Sequence, residues 1–132
     1  MTVLITTDAD VEEGAAWLSV QEPRFAQALL ITGPLPLRLA PDGFSALFNK
    51  IVSQQVSVAS ARAIWGRVEA AGLTSPATVR AASEDDLKAV GLSRPKMKYA
   101  RALAEAEIDY NALRNASDAD VIATLTAVSG IG

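Results

Sequence analysis

The sequence contains no cysteine and no histidine. Without thiols the chain can form no disulfide, no thiolate zinc site and no iron–sulfur ligand set of its own. Without imidazole it lacks the only side chain whose ordinary pKa lies between about pH 5 and 8, and with it the usual general base and the commonest metal ligand. Aromatic residues make up only 5% of the chain. No apolar run approaches the roughly 20 residues a membrane-spanning helix needs. The opening stretch, MTVLITTDADVEEG, has no basic region followed by a long apolar run, so no signal peptide is expected. A cytoplasmic protein without membrane association and without a cofactor or metal is the expectation. What is present in quantity is aliphatic: half of the 132 residues are hydrophobic and alanine recurs throughout. That length suits one domain with a real core, and the composition predicts a mostly helical one.

Net charge is −3, which taken alone disfavours a nucleic-acid partner. Its distribution is uneven. Residues 1–37 carry five acids and one base, and residues 102–132 carry the same. Between them, residues 38–101 carry ten bases (Arg38, Lys50, Arg62, Arg67, Arg80, Lys88, Arg94, Lys96, Lys98 and Arg101) against five acids. Local charge rather than the total sets attraction to a phosphate backbone. A solvated helix surface is the competing reading of the same cluster.

The chain reads as helices with almost no strand signal. Asp8 to about Gln21, capped by Thr7 or Asp8, and Pro23 to Ile31 are the first two. TGPLPLRLAPDG (32–43) is the one turn-rich connector. Phe44, Leu47, Phe48 and Ile51 follow the i, i+3, i+4, i+7 spacing of an amphipathic helix, and Val58, Ala61, Ile64, Trp65 and Val68 repeat it before Gly72. Ser75-Pro76 and Ser83 open two short helices. Ser83 with Asp86, and Ser117 with Asp120, are spaced like capping boxes. A longer helix spans about 95–107, and Val121, Ile122, Leu125 and Val128 give a last helix its apolar face. The expected fold is an all-α orthogonal bundle.

Three motifs carry possible chemistry. IVSQQVSVASARAIW (51–65) places Gln54 and Gln55 at a helix end, with Ser57 able to cap the next helix. Amide side chains both donate and accept, so this corner can read or replace a base edge. It can equally be plain helix-terminal polarity. In GLSRPKMKYARALAEA (91–106), Arg94, Lys98 and Arg101 share one helix face, which suits either contact with phosphates or a solvated stripe. LTAVSGIG (125–132) is a helix running into Gly-Ile-Gly, the first half of a helix-hairpin-helix element, whose backbone amides can cradle a phosphate.

Taken together, in this order and spacing, residues from about Leu35 to Gly132 resemble the helix-hairpin-helix DNA glycosylase superfamily, specifically its DNA-3-methyladenine glycosylase II branch. PLPLRLAPDGFSALFNKIVSQQVSVASARAIWGRV, GLSRPKMKYARALAEA and LTAVSGIG all look like segments of that branch. The resemblance implies a base excision repair enzyme that flips alkylated bases out of double-stranded DNA and hydrolyses their N-glycosidic bond. It implies that residues 1–37 are N-terminal helices belonging to a second lobe, and that residues 38–132 are the DNA-binding lobe, ending at the hairpin. By the same resemblance Gln55, with Gln54 beside it, takes the wedge position that fills the gap left by a flipped nucleotide. Gly130 and Gly132 take the hairpin positions that contact a phosphate, with Ser57, Arg94 and Lys98 as further DNA contacts.

Two departures bear on activity. Ser129 stands where the family often has lysine or proline. The family's catalytic aspartate lies roughly twenty residues beyond the second hairpin glycine, past Gly132, so no catalytic residue is assigned within the chain. Asp109, Asp118 and Asp120 precede the hairpin and read as loop and capping residues. Trp17 and Trp65 are expected in the core. The 132-residue chain alone is expected to be inactive. Helices around Trp17, Leu18, Phe25, Leu29, Leu30, Ile122 and Leu125 are expected to lack partners, favouring self-association or a retained C-terminal fragment. The alternatives are a non-catalytic helix-hairpin-helix DNA-binding module and a helical scaffold that meets a protein partner.

Overall fold

A computed structural model describes residues 4–132, and among these it contains nine helices and no strand. They fall into two compact units that divide between Ala40 and Pro41. No helix among the described residues is long and apolar enough to cross a membrane.

The first unit holds α1 (Asp8–Gln21) and α2 (Pro23–Thr32), packed against each other. The start of α1 is fixed by a capping box in which the Thr7 hydroxyl accepts from the Asp10 amide and the Asp10 carboxylate accepts from the Thr7 amide at 2.8 Å. Hydrogen bonds from the Thr6 backbone and from Thr7 hold the Asp10 carboxyl below its ordinary range. Pro23 at the first position of α2 costs nothing, because its missing N–H would have no partner there. Only Ala15 is buried in these two helices. Trp17, expected in the core, is 62% exposed. A two-helix layer has too little surface to cover an indole.

The second unit contains α3 (Phe44–Ser53), α4 (Val58–Ala70), α5 (Pro76–Ala81), α6 (Glu84–Ala89), α7 (Arg94–Glu105), α8 (Tyr110–Arg114) and α9 (Asp118–Thr126). Its core is built from one face of α3 (Phe44, Phe48, Ile51 and Val52) and one face of α7 (Met97, Ala100, Leu103 and Ala104). Val68, Val79 and Leu87 complete it from α4, α5 and α6. Helix α7 packs against α3, α5 and α6, so it is the central strut. The small Ala100 and Ala104 let neighbouring backbones come close. Trp65 is half-buried and meets the Phe48 ring edge-on, with centroids 5.6 Å apart.

Serine caps set the element boundaries. Ser57, Ser75, Ser83, Ser93 and Ser117 each accept from the amide three residues on, which satisfies one orphan donor per helix. Ser83 and Asp86 form the full reciprocal box. Ser117 and Asp120 form only half of it, because the Asp120 carboxylate takes the Ser117 hydroxyl rather than the backbone amide. Helix α8 has no counterpart in the sequence reading; Asp109, read as a loop and capping residue, caps it. The expected apolar face of the last helix is corrected too. Helix α9 ends at Thr126, Val128 is buried beyond it, and Ile122 is 62% exposed. A forked ion pair from Arg114 to Asp42, at 2.6 and 2.7 Å, ties α8 to the residues before α3 and lowers the Asp42 carboxyl below its ordinary range.

Candidate nucleic-acid interface

Two turns far apart in sequence meet on one side of the second unit. The first follows α3. Gln54 is its C-cap, and Gln55 adopts a φ of 55°, a left-handed conformation that costs an L-residue roughly 1–2 kcal/mol. Ser57 then caps α4, accepting from the Ser60 amide. The second turn follows α9, where the Ile131 amide donates to the Val128 carbonyl. Here Gly130 has a φ of 96°, and a side chain at this residue would collide with the Tyr99 ring: a Cβ would lie 2.7 Å from Tyr99 Cδ1. Two independent constraints therefore demand glycine at 130.

Gln54, Gln55, Gly130 and Gly132 line one open concavity of about 790 Å³, together with Val56, Ser93, Pro95, Lys96 and Tyr99. Both glutamine side chains are exposed. The amides of Gly130 and Gly132 donate to no other group among the described residues. The concavity thus brings two exposed glutamine amides together with two glycines whose backbone N–H groups are unpaired among the described residues. Ser57, Arg94 and Lys98 do not line it. Arg94 and Lys98 are exposed on the neighbouring face of α7, the face they share by their i, i+4 spacing.

The basic cluster is less available than its sequence suggests. Four of its ten members are committed to backbone carbonyls. Arg67 donates to Val90 at 2.9 Å, Arg80 to Ala104 at 2.7 Å, Lys96 to Val52 at 2.7 Å and Arg101 to Ala82 at 2.6 Å. Every one of these carbonyls belongs to a helix C-cap or last turn, where orphan acceptors and the negative end of the helix dipole favour a cation. Arg101, which by sequence shares a helix face with Arg94 and Lys98, is therefore a structural tie. Lys96 is the groove residue that sequence reasoning missed. Its partner lies 44 positions away, and no local pattern signals it. Among the described residues no group of three or more carboxylates converges to hold a metal.

The family model for the HhH-GPD superfamily of base excision DNA repair proteins matches residues 48–131, well over half of the chain. The chain belongs to that superfamily. The match begins inside α3 and ends at Ile131, so it takes in the residues that line the concavity except Gly132. Among solved structures, the chain is similar to a DNA-3-methyladenine glycosidase from Bacillus halodurans, with 32% identity and a TM-score of 0.76, over 97% of this chain and 59% of that one. It also shares its fold with a 3-methyladenine DNA glycosylase from Schizosaccharomyces pombe, solved in complex with abasic DNA. That likeness has 24% identity and a TM-score of 0.75, over 91% of this chain and 64% of that one. The chain therefore spans about three fifths of the length of these two proteins. No curated protein sequence matches it.

Proposed function

We propose that this chain is the wedge-and-hairpin portion of a cytoplasmic DNA glycosylase that excises alkylated bases of the 3-methyladenine type from duplex DNA. The carrying observation is the concavity that joins Gln54 and Gln55 to Gly130 and Gly132 within an HhH-GPD fold. Each part has a physical task. A flipped nucleotide leaves a gap in the base stack, and Gln55, held outward by its left-handed backbone, fills it and offers an amide to the unpaired partner base. The unpartnered amides of Gly130 and Gly132 bind a phosphate beside the gap without needing a side-chain charge. Exposed Arg94 and Lys98 contact flanking phosphates, as does Ser57, whose hydroxyl hydrogen remains free to donate while its oxygen caps α4.

In this reading the aspartate that supports glycosidic cleavage lies outside residues 1–132, and the Asp109 and Asp120 carboxylates are occupied with their own helix starts. The 132-residue chain alone binds but does not cut. Incubation with DNA containing 3-methyladenine or 7-methylguanine should release no free base above the uncatalysed rate, while anisotropy should detect tighter binding to duplex with an abasic analogue than to intact duplex. Enzyme-dependent base release would overturn the placement of the catalytic group. Equal binding to the two duplexes would overturn the wedge and leave a general DNA-binding module. We further propose that the exposed apolar faces of the chain support self-association or retention of a separate C-terminal fragment.

A further inference from the structure

We propose that Lys96 is a positioning residue: it fixes the Gln54–Gln55 turn relative to the Gly130 turn, so that wedge and phosphate site engage DNA in register. The proposal rests on the DNA-binding reading above. Two contacts one helical turn apart on α7 carry it. Lys96 Nζ donates to the Val52 carbonyl at 2.7 Å, and the Tyr99 ring occupies the space where a side chain at 130 would project. Helix α7, itself anchored in the core by Met97, Ala100, Leu103 and Ala104, is therefore the common reference for both turns.

Past its buried residues Ile51 and Val52, the end of α3 runs into an exposed turn. Its other hydrogen bonds are local: the Ser53 hydroxyl returns to Asn49 and the Gln54 amide returns to Ile51 at 3.3 Å. Local bonds close the helix and the buried Ile51 and Val52 seat it in the core, while the Lys96 bond links the backbone of its last turn, next to the exposed glutamines, to α7. Left-handed backbone at a non-glycine residue persists only where its surroundings over-determine it, and Gln55 follows this helix end directly. The Lys96 ammonium satisfies a last-turn carbonyl that would otherwise be orphaned, and it does so across 44 residues. A lysine reserved for phosphate would keep its ammonium in solvent, as Lys98 does; Lys96 is half-buried with its charge already paired to a carbonyl dipole.

The test uses the 132-residue chain with two duplexes of one sequence, intact or carrying a tetrahydrofuran abasic analogue, read by anisotropy across a salt series. Lys96→Met, and the shorter neutral Lys96→Gln as a second variant, should lose about tenfold of the preference for abasic over intact duplex, the scale of one charge-assisted hydrogen bond. Affinity for intact duplex should fall by clearly less than affinity for the abasic duplex, and Lys96→Arg should retain most of the preference. Amide exchange at residues 54–56 should quicken in the Met and Gln variants, a readout that needs no DNA. Equal weakening on both duplexes with the salt slope reduced by about one would make Lys96 a phosphate contact and overturn the proposal. So would unchanged preference with unchanged exchange. An unsubstituted chain with no abasic preference would instead overturn the wedge assignment, and the proposal with it.

Discussion

Gly130 and Gln55 both adopt backbone angles that L-residues avoid, at φ 96° and 55°, yet replacing them should have opposite effects. Gly130→Ala adds left-handed strain of about 1–3 kcal/mol and also drives a methyl into Tyr99. Chemical denaturation should show a clear loss of stability. Gly132→Ala meets open space and should melt like the unsubstituted chain. If both alanine variants proved equally stable, the Tyr99–Gly130 packing would be refuted. Gln55→Gly runs the other way. It relieves the left-handed strain and should leave stability unchanged or raise it by up to about 1 kcal/mol, while abasic-duplex preference falls. A variant that became more stable and kept its preference would remove Gln55 from the wedge.

At the scale of elements, most helix starts were legible because they rest on short-range chemistry. A serine at a helix start is visible in sequence, and the starts of α4, α5, α6 and α9 follow from it, whereas the Ser93 cap of α7 was not read. Helix α8, five residues long and lacking an apolar period, escaped detection. The ends of the apolar faces were less legible. Periodicity says that Ile122 and Val121 share a helix, but only the packing decides that Val121 is half-buried and Ile122 exposed. Of the candidate site, the two turns were legible as motifs, whereas the roles of the basic residues were not. Arg67, Arg80, Lys96 and Arg101 find carbonyls 19 to 44 positions away, and nothing in their local sequence separates them from Arg94 and Lys98. The difference is measurable. Arg101→Met should cost about 1.5–3 kcal/mol of stability, the range for a hydrogen bond to a charged group, and leave the salt slope of DNA binding intact. Lys98→Met should leave stability intact and reduce that slope by about one. Reversed outcomes would return Arg101 to the phosphate face.

For the whole molecule, the decisive quantity is apolar surface left facing water. Leu30 and Ile31 are 87% and 86% exposed, and Trp17 and Val20 join them in the first unit. Helix α2 buries no residue at all. Contiguous apolar patches beyond a few hundred Å² are uncommon on monomers, and covering even 400 Å² is worth on the order of 10 kcal/mol before entropic costs. Light scattering at micromolar concentration, with intact-mass analysis of the same sample, should report a dimer or larger species, or a co-purifying fragment. A stable monomer of the 13.8 kDa mass would overturn this.

The seat of Gly130 against Tyr99 also gives the molecule a built-in reporter. Protons on Gly130 Cα sit within the ring current of that tyrosine, so their resonances should be displaced from ordinary glycine positions and split from each other. A phosphate settling on the hairpin amides, or a change in the angle of α7, would move those two signals without any label. The turn can therefore be watched through a pair of hydrogens of its own.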